Sequence, residues 1–314
     1  MWFKNIHFYR FETSFKMTGQ QLHEALESRK ARSCGQMELS CEGWARPLGL
    51  DGQMLVHEID GKLMICLRRE DKVLPASLVR ELVEEKAFEI EQEAGRPVGR
   101  KERTDIKDQL MNELLPRALV KASHTYAYID ANKSDEKNDW LIVNAASAKK
   151  AEELIMLLRK TLGTLNVVLP QTNVSPESAM TQWLLNEESL PEGFDIEDEC
   201  ELRAAGESTS VIRCKHVDVA SSEIRAHLST GKRVHRMAMN WQEKLSFVLH
   251  DDLSIRRIRY GDELLEQADA GGDQLAQFDA DFSMMSAELA GFIPALLATL
   301  NATDRDDIET QVTQ

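Results

Sequence analysis

Long hydrophobic runs are absent from this chain of 314 residues. A membrane-spanning helix needs about eighteen or more consecutive apolar residues, and no such stretch occurs, so we expect no membrane span. The N-terminal segment MWFKNIHFYRF lacks a long apolar stretch followed by a small-residue cleavage site, which excludes a typical signal peptide. Aromatic residues make up only 6%, yet the 42% hydrophobic content is sufficient for a sizeable core. The length favours two or three domains.

Cysteine is scarce, and the five cysteines are odd in number and scattered: Cys34, Cys41, Cys66, Cys200 and Cys214. This usage excludes a disulfide framework and contains no close C-x-x-C pair, so it indicates a reduced, cytoplasmic chain. Cys214-Lys215-His216 offers only two metal donors, without a second cluster nearby in the sequence. We therefore expect no metal ion and no cofactor.

Motifs that carry enzymatic chemistry are also missing. No G-x-G-x-x-G, Walker A, G-x-S-x-G or H-E-x-x-H pattern occurs, and the eight histidines are dispersed. One pattern keeps a nuclease interpretation open. Asp60, followed by Glu70 and Lys72, resembles the carboxylate and E-x-K arrangement that holds Mg²⁺ beside a scissile phosphate. The alternative interpretation is a hairpin-turn Asp60 and two solvated loop charges.

Short strands mixed with helices are expected along most of the chain. The Asp60-Gly61 turn between two alternating apolar runs is typical of a β-hairpin. Strands and helices do not alternate strictly, which favours an α+β fold with antiparallel sheets over a parallel α/β sheet. The predicted strands are Trp2–Phe11, Met54–Ile59, Lys62–Arg68, His124–Ile129, Trp140–Ala145, Asp198–Leu202, Val211–Cys214, Lys232–Trp241, Leu245–Leu249 and Ile255–Tyr260.

A helical hairpin is predicted between Pro75 and Pro116. Apolar residues repeat at intervals of three and four after Pro75, a glycine- and proline-rich break follows, and Thr104 is a suitable N-cap for a second helix that Pro116 ends. Other helices are expected near Thr18–Leu26, Ala148–Leu162, Pro176–Asn186, Ser222–Ser229 and Asp281–Leu300.

These elements suggest a division of the chain into domains. Residues 1–74 and 122–170 are predicted to form an N-terminal α+β domain, from which the hairpin of residues 75–121 projects. A C-terminal α+β domain is expected over residues 171–303, followed by a polar tail over residues 304–314.

Positive charge is in deficit overall, because 38 Lys and Arg face 53 Asp and Glu and give a net charge of −15. Residues 95–121 nevertheless contain seven cations against four acids, and residues 211–260 contain ten against five. The rest of the chain therefore carries −23. An acidic protein that binds a polyanion must concentrate its cations on one surface, so this segregation favours DNA as the partner.

Arg96, Arg100, Arg103 and Lys107 are spaced by four, three and four residues, which would align them along one helix face if the backbone were helical throughout. Gly95, Pro97 and Gly99 make the first part a loop, so the stripe is predicted mainly from Arg100 onward. Such a stripe suits contacts with phosphates that are independent of base sequence. Two other interpretations fit the composition: a solvated helix face with intrahelical ion pairs, and an acidic adaptor whose basic strips pair with its own acids.

Several local strings together resemble the RdgC family of bacterial recombination-associated proteins, over about Trp2 to Leu300. They are WFKN (Trp2–Asn5), VLP (Val73–Pro75), LLPRA (Leu114–Ala118), ASAKKAEELIMLLRKTLG (Ala146–Gly163), VIRCK (Val211–Lys215), DDLSIRRIRYGDEL (Asp251–Leu264) and DADFSMMSAELA (Asp279–Ala290). Each string is weak alone, but their order and spacing are specific.

The resemblance implies an α+β subunit that closes into a ring-shaped homodimer around DNA. It also implies DNA binding without sequence preference, interference with loading of the RecA recombinase, a location at the nucleoid, and no enzymatic activity. LLPRA places Arg117 on the projecting element, and VIRCK places Arg213 and Lys215 in a second contact region. Two residues after Arg117, where relatives can carry an aromatic residue, this chain has Leu119, which favours apolar packing over base stacking.

The combined prediction is a set of nine DNA-binding cations in the hairpin region and the second basic region. They are Arg96, Arg100, Lys101, Arg103, Lys107, Arg117, Lys121, Arg213 and Lys215.

Overall fold

Alternating apolar residues build one long antiparallel sheet. A computed structural model of the chain describes residues 1–131, 139–204, 210–269 and 273–302, so the predicted polar tail lies outside the described residues. The strands are β1 (Ile6–Phe11), β2 (Ser40–Ala45), β3 (Val56–Ile59), β4 (Lys62–Val73), β5 (Leu119–Asp130), β6 (Trp140–Asn144), β7 (Val167–Val168), β8 (Phe194–Ala204), β9 (Val211–Lys215), β10 (Lys232–Trp241), β11 (Leu245–His250) and β12 (Ile255–Tyr260).

Eight α-helices accompany these strands in the described part of the chain, which confirms the α+β class. They are α1 (Gly19–Glu27), α2 (Ala76–Ala94), α3 (Arg100–Leu114), α4 (Ala148–Leu162), α5 (Pro176–Leu185), α6 (Ser222–Ser229), α7 (Asp262–Gln267) and α8 (Gln274–Thr299). The Thr18 N-cap of α1 is confirmed, with the reciprocal capping box that Thr18 and Gln21 form.

The expectation of separate sheets is wrong. The strand order β2-β4-β5-β6-β1-β12-β11-β10-β8-β9 runs through both predicted domains, and β3 and β7 attach to β4 and β1. Strand β1 is the junction, because it pairs along β6 on one edge and meets β12 at Ile6 and Ile255 on the other. Local sequence patterns carry no signal for such a distant pairing, and the domain division stays a prediction.

Helices cover the two halves of the sheet differently. Helices α1 and α4 bury their apolar residues on one face of the N-terminal strands, and the N-terminal part of α8 packs on the opposite face. Helices α5, α6 and α8 cover the same face of the C-terminal strands β8 and β10–β12. The other face of these C-terminal strands, called the open face below, carries charged residues that include Glu199, Glu201 and Arg213.

By length and composition, α8 is apolar enough to cross a membrane. Its apolar residues are nevertheless buried against the sheet, and Phe282, Met285, Leu289, Phe292 and Leu296 are all fully buried. A core helix between two packed halves has the same composition as a membrane span, so packing accounts for the hydropathy of α8.

Helices α2 and α3 lie in the connection between β4 and β5. These two strands pair along their whole length, from Lys62 with Asp130 to Val73 with Leu119. The helices pack together around Ala87, Val98 and Ile106. Gly95 ends α2 with a positive φ of 66°, a conformation that favours glycine.

Two predicted boundaries in this region are wrong. Helix α3 begins at Arg100, and the hydroxyl of Thr104 donates to the carbonyl of Arg100 inside the helix instead of capping it. Strand β5 begins at Leu119, so residues 119–121 belong to the sheet. Lys121, Ala122 and His124 are all exposed, so this part of β5 lacks the alternation of apolar and polar residues by which a half-buried strand is predicted.

Candidate nucleic-acid interface

Six of the nine predicted cations are exposed, and their side chains make no hydrogen bond or ion pair within the described parts of the chain. Three lie on α3, one in the 3₁₀ turn after it, and one each on β5 and β9. An exposed cation without a carboxylate partner can contact a phosphate without first breaking an ion pair. These residues are Arg100, Lys101, Lys107, Arg117, Lys121 and Lys215.

The other three cations are engaged. Arg96 pairs with Glu102 at 2.9 Å, and Arg213 pairs with Glu201 at 2.9 Å. Arg103 contacts Glu84 and, at 3.6 Å, Glu91 on the neighbouring helix α2. Within the stripe predicted from Arg100 onward, Arg100 and Lys107 are free of ion pairs in the described chain, whereas Arg103 is engaged. Arg103 faces α2 and helps to hold the helix pair together.

The cationic segment also lies against an acidic neighbour. Helix α2 carries six glutamates and only two cations, a fact that the count over residues 95–121 leaves out. Over residues 76–117, eight cations face ten acids, so the helix pair as a whole carries −2. Any DNA contact here depends on the exposed face of α3 and on the root of the helix pair, by which we mean residues 115–121 after α3. It does not depend on the net charge of the pair.

The second basic region is organised around a buried carboxylate on the open face. Glu201 of β8 is only 3% exposed. Its oxygens lie 2.9 Å from Arg203, 2.9 Å from Arg213 and 3.1 Å from Arg236. Strands β9 and β10 flank β8 on both sides, so the antiparallel register brings arginines from three strands to one glutamate.

The charge state of Glu201 follows from these contacts. Burial opposes ionisation, but hydrogen bonds from Arg213 and Arg203, with the nearby charge of Arg236, outweigh it and lower the pKa of Glu201 below its usual value. The carboxylate therefore stays ionised at neutral pH and orders the three guanidinium groups.

A second glutamate extends this network across the sheet. Arg257 reaches from β12 over β11 and β10 to Glu199 of β8, at 2.8 Å, and Arg236 lies 4.0 Å from the same residue. The backbone of Arg257 has a positive φ of 53°, next to the irregular pairing of β11 with β12. We call Glu199, Glu201 and the four arginines Arg203, Arg213, Arg236 and Arg257 the arginine cluster; its formal charge is +2.

His250, which is opposite Arg236 on β11, adds no positive charge beside the cluster at neutral pH. Burial, and then the nearby charge of Arg256, lower the pKa of His250 to about 4. The positive charge of the cluster therefore comes from its four arginines, without a contribution from His250.

Three arginines of the arginine cluster were not among the predicted site residues: Arg203, Arg236 and Arg257. A signal existed for Arg203, because Glu199, Glu201 and Arg203 alternate along one strand and must share a face. Arg236 follows an irregular register between Val234 and Arg236, which breaks the alternation that would have placed it.

The proposed nuclease residues are not brought together. Asp60 occupies the turn before β4, where it accepts a hydrogen bond from Ser283. Glu70 and Lys72 lie near the other end of the strand. Lys62 and Glu70 alone are separated by about 26 Å at 3.3 Å per residue. Glu70 is buried and pairs with Arg68, and the Lys72 ammonium donates to the carbonyl of Leu115 at 2.7 Å.

The sequence offered Cys214 and His216 as two neighbouring metal donors, and the structure gives each of them a different partner. His216 is 2.8 Å from Asp198, and Cys214 is opposite Cys200 on the neighbouring strand. Among the described residues, one group of three metal-ligating side chains does converge, namely Cys34, Glu38 and Cys41.

Comparison of the sequence with known proteins assigns the chain to a family. The family model described as "Putative exonuclease, RdgC" matches residues 1–303. The chain belongs to the RdgC family. It is 46% identical over 307 residues to the Recombination-associated protein RdgC of Aeromonas hydrophila, covering 97% of this chain and 99% of that protein. The protein of the same name from Tolumonas auensis is 42% identical over 302 residues, covering 96% and 98%. That from Colwellia psychrerythraea is 40% identical over 311 residues, covering 98% and 99%.

The charge of Glu201 is predicted to stabilise the fold of this RdgC-family chain. In Glu201→Gln the arginine cluster loses its central negative charge, and we expect the free energy of unfolding at neutral pH to fall by about 1–3 kcal/mol. Because the folded-state pKa of Glu201 is lowered, its contribution is complete above the unfolded value of about 4.5 and is lost as pH falls through the folded value. The two proteins should therefore become similar in stability once the pH lies below the lowered folded-state pKa of Glu201.

Urea unfolding at a series of pH values measures this effect. Glu192→Gln is the control, because Glu192 is exposed and its side chain has no partner among the described residues. An equal loss in both variants would contradict the assignment, as would a difference that persists unchanged in acid.

Proposed function

We propose that this protein binds DNA without sequence preference and acts as a non-enzymatic homodimer that encircles the duplex. The observation that carries the proposal is the pairing pattern of the cations. Six of the nine predicted residues are exposed without a carboxylate partner in the described chain, and the open face adds the arginine cluster. The name that the relatives carry, "Recombination-associated protein", supports DNA as the partner.

Contact with phosphates, and not with base edges, suits these residues. Arg100, Lys101 and Lys107 are long, exposed side chains on a helix that also carries Asp105 and Asp108. Binding would therefore depend on individual side chains that extend to phosphates, and not on a uniformly positive helix surface. Arginine and lysine bind phosphates wherever the backbone passes, which gives affinity without sequence information. The acidic remainder of the chain repels DNA and confines it to the basic surfaces.

A triple substitution tests the binding of phosphates by α3. In Arg100→Ala/Lys101→Ala/Lys107→Ala we expect weaker binding to all duplexes by a similar factor. The dependence of log affinity on log salt should also become shallower, by about 0.9 for each phosphate that the variant no longer neutralises. Arg103 is left in place because it holds α3 to α2. Fluorescence anisotropy with three duplexes of unrelated sequence over a salt series gives both quantities.

The matched control removes the same charge from α4, in Lys149→Ala/Lys150→Ala/Lys160→Ala. These lysines are exposed and lie outside both basic regions. An affinity that is independent of salt would overturn the proposal. A loss confined to one duplex would require direct reading of bases, and an equal loss in the control would remove α3 from the interface.

Self-association is supported by the strand at the root of the helix pair. Leu119 is 79% exposed and is paired with Val73, itself 46% exposed. Strand β6 pairs with β5 only from Tyr126 onward, so among the described strands residues 119–125 have β4 alone as a neighbour. Exposed apolar side chains beside an unpaired strand edge are typical of a surface that another chain covers.

A second copy on this surface is our proposal for ring closure. A dimer that surrounds the duplex occupies the backbone that a recombinase must contact, and it would thereby limit access of RecA. Such a protein would work on the nucleoid in the cytoplasm.

Leu119→Asp tests the ring. We expect the unmodified protein to have about twice the 35.6 kDa mass of one chain and to remain on closed circular DNA after a salt challenge that releases it from linear DNA. A buried carboxylate at position 119 is costly, so the variant should dissociate or lose this retention. Leu50→Asp, at a leucine that is 97% exposed, should behave like the unmodified protein. A monomeric mass for the unmodified protein would overturn the proposal.

Nuclease activity is the second candidate, because the family model is described as a putative exonuclease. The separation of Asp60 from Glu70 and Lys72 argues against that particular constellation. We predict that end-labelled single- and double-stranded DNA stays at full length with Mg²⁺ at protein concentrations that saturate binding. Degradation that persists in Asp60→Asn/Glu70→Gln would establish cleavage by other residues, and degradation abolished in that variant would restore the original constellation.

A further inference from the structure

Two cysteines and a glutamate converge where the chain enters β2. The Sγ atoms of Cys34 and Cys41 and one carboxylate oxygen of Glu38 all lie within 4.8 Å of one another, and all three residues are half-buried. Thiolate sulfur and carboxylate oxygen are both ligands of Zn²⁺. Nothing in the DNA-binding proposal uses this group.

The surrounding contacts hold the three side chains in place. The Glu38 carboxylate accepts hydrogen bonds from the Arg32 guanidinium at 2.5 and 2.6 Å and from the Gly35 N–H at 2.7 Å. The Cys34 thiol donates to the Glu38 carbonyl at 3.4 Å, and the Cys41 thiol donates to the Arg32 carbonyl at 3.3 Å. Ligands of metal sites are commonly oriented by such outer contacts.

A second cysteine pair provides a comparison within the same chain. Cys200 and Cys214 are opposite each other on β8 and β9, but no third metal-ligating side chain joins them among the described residues. Among the described residues, only the pair Cys34 and Cys41 therefore has a carboxylate beside its two sulfurs. That third donor makes the group a possible set of metal ligands and not merely two neighbouring thiols.

We propose that Cys34, Glu38 and Cys41 bind one Zn²⁺ ion, with water as the fourth ligand. Tetrahedral zinc, with bonds of about 2.3 Å to sulfur and 2.0–2.2 Å to oxygen, needs these ligand atoms about 3.5–3.8 Å apart, so modest side-chain rotations complete the site. Each thiol releases one proton to solvent on binding. The ion with two thiolates and one carboxylate carries −1, and the adjacent Arg32 balances that charge.

The position of the site gives zinc a structural consequence. Gln36 lies between Cys34 and Glu38, and its carbonyl accepts a hydrogen bond from the Lys72 ammonium. The same ammonium donates to the carbonyl of Leu115, just after α3. The Cys34 N–H also donates to Glu70 of β4 at 2.7 Å. An ion that fixes this loop therefore also fixes the root of the helix pair.

Zinc titration of the full chain tests the proposal. The protein is stripped with a chelator under reducing conditions, and ZnCl₂ is then added in competition with a chromophoric chelator. We expect one ion per chain, and an affinity at least about tenfold lower in Cys34→Ser and in Cys41→Ser. Cys214→Ser, from the comparison pair, should bind like the unmodified chain. Equal binding by all three variants, or no binding by the unmodified chain, would overturn the proposal.

Glu38→Gln and maleimide labelling keep the test decisive even where a serine variant folds poorly. Glu38→Gln should weaken zinc binding, and unchanged affinity would remove the carboxylate from the ligand set. Zinc should slow labelling of Cys34 and Cys41 but not of Cys214, and it should slow amide exchange in residues 33–41 and 115–118. Equal protection of Cys214, or a Cys34–Cys41 disulfide that forms despite bound zinc, would contradict the site.

Discussion

The burial of helix α8 against both halves of the sheet is the constraint on which the rest of this structure depends. Near its N-terminus, Phe282 packs on Tyr128 of β5 with ring centroids 5.5 Å apart, and ten residues later Phe292 packs on Phe247 of β11 at 4.8 Å. Each fully buried side chain of this size contributes about 1.5–3 kcal/mol. One helix thus joins strands that the chain lays down more than a hundred residues apart, and it adds to the short β1–β12 pairing at Ile6 and Ile255.

That packing also explains why the charged surface is where it is. Since α5, α6 and α8 occupy one face of the C-terminal strands, the other face carries no helix from the described part of the chain and must be compatible with water. The sequence meets this requirement with arginines and not with small polar residues, and it places Glu199 and Glu201 among them to offset repulsion. Ala238 of β10 and Val248 of β11 are buried although no helix among the described residues covers them, which is consistent with long arginine side chains lying across them.

Local patterns predicted much of the fold, and long-range geometry explains the rest. Helices α4 and α6 and strands β10 and β12 were predicted with the bounds that the structure shows, because their periodicity and caps are local. Strand β2 was missed, since Ser40–Ala45 contains polar residues and a glycine. Gly43 is needed there because a Cβ would lie 2.7 Å from the backbone of Ala31, a proximity that only the folded chain reveals. Asp60 and Glu70 are far apart because Asp60 lies in the turn before β4 and Glu70 near the other end of the same extended strand.

Charge counted along the chain and charge arranged in space lead to different conclusions about the proposed DNA surface. The segment from residue 95 to 121 has an excess of cations by sequence, but α2 brings six glutamates against it. On the open face the opposite holds, because Glu199 and Glu201 fix four arginines and still leave a positive excess that pH near neutrality does not change. A solvated ion-pair network and a DNA-binding surface are therefore not exclusive alternatives here. The carboxylates that reduce the net charge also hold the guanidinium groups in fixed positions, so a phosphate that meets them encounters donors that are already ordered and need surrender little further conformational entropy. On this argument the open face would add a set of ordered donors to the proposed DNA surface.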